Sequence, residues 1–506
     1  ECIDLVARTR HESVDLSRIG FTDPSVYAEI QDADTVGVFQ IESRAQMQSL
    51  LQTGPENLDD LTVQVALIRP GPVSGGAVHP YVKHRRALRA DPDFEPPYDH
   101  PLLADVLRET LGVVVFQEQV LEVSMALAGF TPGQAEALRR AMSRKRSREA
   151  MLELWRDFRD GARERGVDDE TIRSVFTKLI GFSNFGFPKA HSSAFAVLAY
   201  QSAWLRQRHP AEFLASLLNA QPMGFYPPAS LVRDAQRRGV RVLPPCVARS
   251  QAACEMEDGA VRVGLGYVRE VRQDAAARLV AQRDADGPFR DIADLAARSE
   301  LRREQLAQLV RAGACDVFEQ PRRAMLWELG VLARPRAGAH GTQLALPIPA
   351  APAPPLPELT RFERTITDYE TTGLSTGWHL VTLVRPDLPP GVVTAAQLRE
   401  VPHGTDVLVA GLVVARQRPA TAGGIVFLLL EDETGMVNCI VRPQVYERHR
   451  AVVRADPLVV AWGRLERHDR NVNVLVTRME RIAPPAEDAA PAPGAAARAR
   501  VMAWRL

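Results

Sequence analysis

The chain has 506 residues, with 62 Lys and Arg set against 62 Asp and Glu, 46% apolar residues and 25% charged ones. That length suits about three domains, each with its own core, and the composition is that of an ordinary globular protein. A formal net charge of zero excludes global attraction to nucleic acid and leaves any such role to local patches.

No apolar run approaches the roughly 20 residues needed to cross a bilayer, so no membrane role is expected. The five cysteines, Cys2, Cys246, Cys254, Cys315 and Cys439, are scattered without C-x-x-C spacing. A zinc site, a redox pair and a disulfide framework are therefore not expected; the thiols read as reduced and mostly buried, in a cytoplasmic protein. The sequence opens on Glu1 rather than Met, with no signal-like apolar stretch, and reads as a portion of a longer chain.

From Ser25 to about Asn219 apolar residues recur at three- and four-residue spacing, which predicts helices. The run LGVVVFQEQVLEVSMALAGF (111–130) passes from β-branched residues into an amphipathic helix. Thr131-Pro132 then supplies an N-cap and a first helical residue for the next one. A long helix is predicted through HSSAFAVLAYQSAWLRQRH, ending at Pro210. After LPPC (243–246) comes a second helical unit made of short helix pairs in tandem. Arg334 to Pro357 is rich in Pro and Ala and reads as a semi-extended linker. From Thr405 to Ile482 five alternating runs predict a small antiparallel barrel. The tail that follows is of low complexity and is expected to be disordered. The divisions are 1–245, 246–333, 334–400, 401–485 and 486–506.

One stretch departs from the neutral average. ALRRAMSRKRSREA (137–150) puts Arg139, Arg140, Arg144, Lys145, Arg146 and Arg148 almost side by side. Such a run is either a solvated helix face or a place where guanidinium forks converge on a polyphosphate. Its neighbours decide between the two. VGVFQIESRAQM, VALIRPGPVSGGAVHPYVKHR, LGVVVFQEQV, LRRAMSRKRS and NFGFPKAHSSAFAVLAYQSAWLRQRHPAEFLASLLNAQPMGFY occur in that order. Together they resemble the fingers region of the bacterial C-family DNA polymerases, the alpha subunit of DNA polymerase III. ESRAQM and LLNAQPMGFY resemble its error-prone branch. The resemblance spans about residues 12–482 and implies a multidomain, mainly α fold: polymerase fingers over 1–245, tandem helix-hairpin-helix over 246–333, a linker and connecting segment, and a small C-terminal β-barrel of OB type over 401–485.

The same resemblance implies site residues. Arg139 and Arg140 match arginines that grip the triphosphate of the incoming nucleotide, with Lys145 near them. Arg69, in the RPGP turn, and Lys189, His191 and Ser192, at the start of the long helix, are placed on the substrate side, where helix amides also favour an anion. Where the family has Gly-hydrophobic-Gly in its DNA-gripping hairpin, this chain reads Glu270-Val271-Arg272, while Gly264-Leu265-Gly266 lies a few residues early. Arg269 and Arg272 are then the candidate contacts to DNA backbone. The barrel offers Arg416, Arg418, Arg464 and Arg467 with few aromatics, Phe427, Tyr446 and Trp462, which predicts weak, backbone-directed contact with single strands. GTQLALPIP is similar to a clamp-docking peptide through Gln343, Leu344 and Leu346, with Pro347 where an aromatic anchor is expected.

The implied activity is dNTP-dependent primer extension on primer–template DNA, in repair or translesion synthesis. A sliding clamp and translesion accessory proteins are the further partners implied. The implied cofactor is Mg2+, held by palm aspartates, and no region of this chain matches the palm motifs. Asp32 and Asp34, and Glu431 to Glu433, lack that context and read as surface or turn residues. The chain alone is therefore expected to be inactive. Two rivals stand beside this reading: a non-catalytic nucleic-acid-binding or scaffold derivative of such a polymerase, and a metal hydrolase using His79, His84 and His100, for which the spacing is unsuited.

Overall fold

The computed structural model describes residues 1–68, 78–143, 148–183, 187–332, 336–338, 341–343, 353–419, 422–468 and 470–485. It packs as two compact units, one of Asp15–Gln207 and one of Glu1–Val14 with Arg208 onward. Where the sequence reading drew one region over 1–245, packing assigns its first fourteen residues and everything from Arg208 to the second unit. The reason is local to that unit. Helix Cys2–Arg10 lies beside helix Pro210–Asn219, and the Arg10 guanidinium makes a two-point ion pair with the buried Glu212 carboxylate, at 2.6 and 3.0 Å. No helix among the described residues is long and apolar enough to cross a membrane.

The Asp15–Gln207 unit is helical and has two main cores. One forms along the long helix Lys189–Arg208, whose small residues Ala196, Ala199 and Ala203 let Val26, Ile30, Ile41, Leu50 and Leu61 approach closely. Tyr200 sits fully buried among them; its hydroxyl accepts from the Asp23 amide at 3.1 Å and donates to the Gly20 carbonyl at 3.0 Å. A buried hydroxyl without partners would cost about 1–3 kcal/mol, and these two bonds remove that cost.

The other core gathers Leu107, Val123, Leu127, Leu138, Phe158, Ile172 and Phe176. Leu107 ends the short helix Ala104–Leu107, and the others come from helices Gln117–Ala128, Pro132–Ser143, Arg148–Glu164 and Asp169–Ser183. Thr131 caps the second of these: its Oγ1 accepts from the Gln134 amide at 3.3 Å while Gln134 accepts from the Thr131 amide at 2.9 Å.

In the second unit the paired helices around Gln273–Asp286 and Arg303–Arg311 share a core of Val271, Leu279, Leu295, Leu306, Leu309 and Met325. The connecting segment also carries helix Arg361–Thr372, started by a Thr360–Glu363 capping box. The C-terminal barrel has strands β1 (Asp406–Gln417), β2 (Val426–Glu431), β3 (Met436–Val441), β4 (Leu458–His468) and β5 (Asn471–Arg481). They close in the order β1-β2-β3-β5-β4-β1, antiparallel except for the parallel pair β3–β5. Leu428, Leu430, Val437, Cys439, Val441, Val459, Val474 and Val476 fill the interior. All five cysteines are free, and all but Cys246 are buried.

Gly161 marks a close crossing of two helices in the Asp15–Gln207 unit: a Cβ there would stand 2.1 Å from the Ala128 carbonyl oxygen. Alanine raises helix propensity by about 1 kcal/mol, but a backbone oxygen cannot rotate away, and overpacking costs about 1–3 kcal/mol or more. Gly161→Ala should therefore lower the denaturant midpoint of this unit, with unchanged far-UV helicity before the transition; a raised midpoint would refute the crossing.

Candidate nucleotide and nucleic-acid interface

Arg139 and Arg140 leave helix Pro132–Ser143 in directions about 100° apart, yet both turn to one carboxylate. Glu136, one turn earlier, accepts from Arg139 Nε at 2.8 Å and Nη2 at 2.7 Å, and from Arg140 Nε at 2.7 Å. The hydrogen bonds from Arg139, then those from Arg140, hold the Glu136 carboxyl down at about 2. The arginine side chains stay open to solvent, Arg139 at 32% and Arg140 at 68%. Sequence reasoning passed over Glu136, although Glu-Ala-Leu-Arg-Arg is the i,i+3 and i,i+4 spacing that makes such pairs on a helix.

The start of the long helix lies by the same region. The Lys189 amide donates to both oxygens of Glu118, at 3.1 and 2.9 Å, and the Lys189 ammonium pairs with Glu109. That pairing, with Glu109 as its main source, raises the Lys189 pKa. Arg139 is raised too, mainly by Glu136, with Glu118 contributing. Glu118 thus holds the Lys189 amide and also acts on the Arg139 guanidinium. Helix Gln117–Ala128 is tied to this point through the Gln117 amide, which donates to the Phe187 carbonyl at 3.0 Å.

His191 is exposed and sits between two rings, with Phe187 at 4.9 Å and Phe195 at 4.1 Å; Phe195 in turn meets Phe39 edge-on at 5.3 Å. Phe39 remains 41% exposed. This aromatic row beside Lys189 was not foreseen, since Phe39 and Phe195 are far apart in the chain. Ser192, by contrast, is fully buried and its hydroxyl donates to the Thr62 carbonyl. That corrects the expectation that it faces substrate: its place one helical step from His191 turns it into the core. Arg69 and Lys145 lie outside the described residues.

In the hairpin, Glu270 has φ of +66°, the left-handed region that glycine occupies most readily. The turn of a Gly-hydrophobic-Gly hairpin is therefore kept, with a glutamate in its first glycine position. Gln305 donates to the Glu270 carbonyl at 2.9 Å, and the Arg269 amide donates to the Thr371 carbonyl at 2.7 Å. Arg272 is the residue before helix Gln273–Asp286, with its side chain 87% exposed and 3.6 Å from Asp274. Gly264 serves packing instead: a Cβ on it would meet the Ala252 carbonyl oxygen at 2.4 Å.

The barrel arginines divide into structural and exposed. Arg416 pairs in register with Leu428, an interior residue, so its side chain turns inward. Its guanidinium donates to the Val453 carbonyl at 2.9 Å and the Asp456 carbonyl at 2.5 Å, closing helix Arg450–Ala455, and burial lowers its pKa. It does not face a nucleic acid, which corrects that expectation. Arg464 is held by the Gly404 carbonyl, and Arg467 by those of Leu398, Arg399 and Val401. Arg418 is exposed and stacks over Tyr446 at 4.8 Å.

Register also defines the outer face of β2 and β3, where OB-folds take their ligands. Phe427, Leu429 and Glu431 stand opposite Ile440, Asn438 and Met436. Glu431 is fully buried, accepting from Ser230 at 3.2 Å and Arg237 at 3.1 Å on helix Pro228–Arg237. One end of this face is thus covered by the chain itself.

The remaining acids are committed elsewhere. Asp34 pairs with the buried Arg206 at 2.7 Å, Asp432 accepts from the Ala395 amide at 2.7 Å, and Glu433 pairs with Arg385 at 2.5 Å. Among the described residues no group of three or more His, Cys, Asp or Glu is arranged to hold a metal ion. The described acids, committed to these partners, do not fit a catalytic metal pair. His84 Nδ1 is 2.7 Å from the Leu111 carbonyl, and His100 caps the amide of Leu102. Gln343 ends a short strand paired with Arg336–Gly338, while Leu344 and Leu346 lie outside the described residues.

A helical unit, paired helical hairpins and a barrel follow one another along the chain, and comparison with known proteins gives each a counterpart. Residues 1–166 match the family model of the bacterial DNA polymerase III alpha subunit finger domain. Residues 239–325 match the helix-hairpin-helix motif and 407–482 the OB-fold nucleic acid binding domain. The chain is 45% identical to an error-prone DNA polymerase of Mycolicibacterium paratuberculosis, over 95% of this chain and 44% of that one. It is 45% identical to that of Mycobacterium tuberculosis H37Rv, over 95% and 43%, and 42% identical to that of Anaeromyxobacter dehalogenans, over 96% and 42%. Over 95% of its length the chain is thus similar to error-prone DNA polymerases, and its first third matches the finger domain of the bacterial DNA polymerase III alpha subunit. It spans less than half the length of these relatives.

The two kinds of barrel arginine should separate by measurement. Arg416→Ala strands buried carbonyls, at about 1–3 kcal/mol, and should lower the thermal midpoint of the barrel. Arg418→Ala should leave that midpoint within about 0.5 kcal/mol, as exposed substitutions do. Equal midpoints for both variants would contradict the inward placement of Arg416.

Proposed function

We propose that this chain is the nucleotide-gripping and DNA-holding portion of an error-prone, template-directed DNA polymerase that works in repair and translesion synthesis. The observation that carries this reading is the convergence of Arg139 and Arg140 on a single carboxylate. Two guanidinium forks brought to one anion are the arrangement a triphosphate requires. The finger-domain match over the same residues supports it, as do the names of the relatives. In phosphoryl transfer such cations offset charge on the leaving pyrophosphate. Lys189, His191 and the row of Phe187, Phe195 and Phe39 offer charge and ring faces beside them. Arg269 and Arg272 at the hairpin and Arg418 on the barrel are the DNA-side contacts of this reading. Mg2+ would be supplied through palm carboxylates that no stretch of these 506 residues matches. A sliding clamp and translesion accessory proteins complete the proposed partners.

The alternative, a non-catalytic nucleic-acid-binding derivative, is favoured only by the commitment of Asp34 to Arg206 and of Glu431 to Arg237, which leaves neither acid for a metal. Primer extension separates the two. The 506-residue protein by itself should give no template-dependent extension with Mg2+ and dNTPs, and robust extension would overturn the assignment of the metal carboxylates to residues outside it. Joined to a palm of this family, it should extend primers; a purely binding derivative would not.

In that joined enzyme, Arg140→Ala removes charge-assisted bonds worth about 1.5–3 kcal/mol. Nucleotide use should fall by roughly tenfold to a hundredfold with little change in primer–template affinity. Arg140→Lys should rescue only in part, because an ammonium lacks the planar fork. Unchanged nucleotide dependence with collapsed DNA binding would reassign the arginines to backbone phosphate.

A further inference from the structure

The arrangement has a feature that triphosphate binding alone does not explain: the three candidate cations already face two carboxylates, and a third holds a backbone amide beside them. Arg139 and Arg140 are on Glu136, the Lys189 ammonium is on Glu109, and the Lys189 amide is on Glu118. For Arg139 the engagement takes both Nε and Nη2, the edge that would present a parallel pair of donors to a phosphate. Glu136 and a nucleotide phosphate cannot both occupy that edge.

We propose that Glu136 is a built-in competitor for the phosphate site, a residue that sets nucleotide affinity by occupying the arginine forks until a polyphosphate exchanges for it. The inference rests on the reading of Arg139 and Arg140 as nucleotide-gripping residues and deepens it. The exchange is favoured by charge: a triphosphate brings several negative oxygens against one carboxylate. It is disfavoured by geometry: Glu136 sits on the same helix at i−3 and i−4, and its local concentration is permanent. The competitor therefore weakens every phosphate ligand by the strength of one helix-surface ion pair.

The pair is solvent-facing, so its strength is that of exposed pairs, and releasing it should change affinity by about two- to fivefold. The test uses the 506-residue protein with dATP and, separately, inorganic triphosphate, both with Mg2+, followed by titration calorimetry. Glu136→Gln keeps an oxygen and the side-chain size but removes the charge, and Glu136→Ala removes both. Each should tighten dATP and inorganic triphosphate alike, by about two- to fivefold. Arg140→Ala, measured in parallel, should weaken both ligands by roughly tenfold or more.

Three outcomes would overturn the proposal, and they differ in what else they remove. Glu136→Gln and Glu136→Ala binding as the wild type does, or more weakly, while Arg140→Ala loses affinity, would make Glu136 a residue that orders the arginines; the nucleotide reading would stand. Arg140→Ala binding as tightly as wild type would remove the reading together with the inference. No binding by the wild-type protein or by either Glu136 variant would do the same.

Discussion

The carboxylate of Glu118 is the constraint on which the candidate site depends. A 20-residue helix, Lys189–Arg208, begins with amides that have no partner inside it and a partial positive charge at that end. Glu118 answers the first of them with both of its oxygens, and it stands in the first turn of helix Gln117–Ala128. One carboxylate thereby fixes the start of one helix to the start of another, with Phe187 and Gln117 adding a backbone bond across the same joint. The arginine helix packs against Gln117–Ala128 through Leu138, Val123 and Leu127. The positions of Lys189, His191 and Arg139 relative to one another follow from that joint. A neutral chain can hold a cationic patch without self-repulsion because each cation is set beside an acid: Arg139 and Arg140 beside Glu136 one turn earlier, Lys189 beside Glu109 from another element.

Much of this was readable before any coordinates, and the exceptions have physical reasons. Helical spacing, the Thr131-Pro132 cap and the five alternating runs of the barrel are local signals, and the structure forms elements from each. The inward turn of Arg416 was hidden because β1 is buried on both faces over much of its length, so alternation did not separate inside from outside. Ser192 and His191 are neighbours in sequence and part company by about 100° of helix rotation, which composition does not reveal. The row of Phe39, Phe195, His191 and Phe187 joins positions more than 150 residues apart, and the union of Cys2–Arg10 with Pro210–Asn219 is longer still. Such pairings come from tertiary packing, to which a local pattern is blind.

The hairpin illustrates how a backbone shape can outlast the residue type that suits it. Glu270 adopts the left-handed conformation at the position a glycine would fill, with Val271 buried below it and Gln305 holding its carbonyl. Surrounding packing over-determines the turn, so the strain of a side chain at positive φ is tolerated. The electrostatics change more than the shape. The exposed tip now presents Arg269 and Arg272 beside Glu270 and Asp274, which neutralises the positive helix start that would attract a phosphate.

A comparable conversion has taken place on the barrel. An OB-fold that relies on phosphate contact needs free cations near the outer face of its second and third strands. Here the four arginines named from the sequence are largely spent: Arg416 on helix-end carbonyls, Arg464 and Arg467 on the carbonyls that brace the approach to β1. The outer face itself carries Phe427 opposite Ile440 at its open end, then Leu429 opposite Asn438, and closes at Glu431 opposite Met436. Glu431 is held there by burial against Ser230 and Arg237. Burying a lone carboxylate would be prohibitive, and the pairing with Arg237 is what allows a helix to lie on that end of the barrel. Any single strand on this face therefore meets a short, mostly neutral surface with one ring to stack on, and Arg418 over Tyr446 as its nearest exposed cation on the barrel arginine set. A denser group of cations, Arg139, Arg140 and Lys189, lies in the Asp15–Gln207 unit, and there each is already set against a carboxylate.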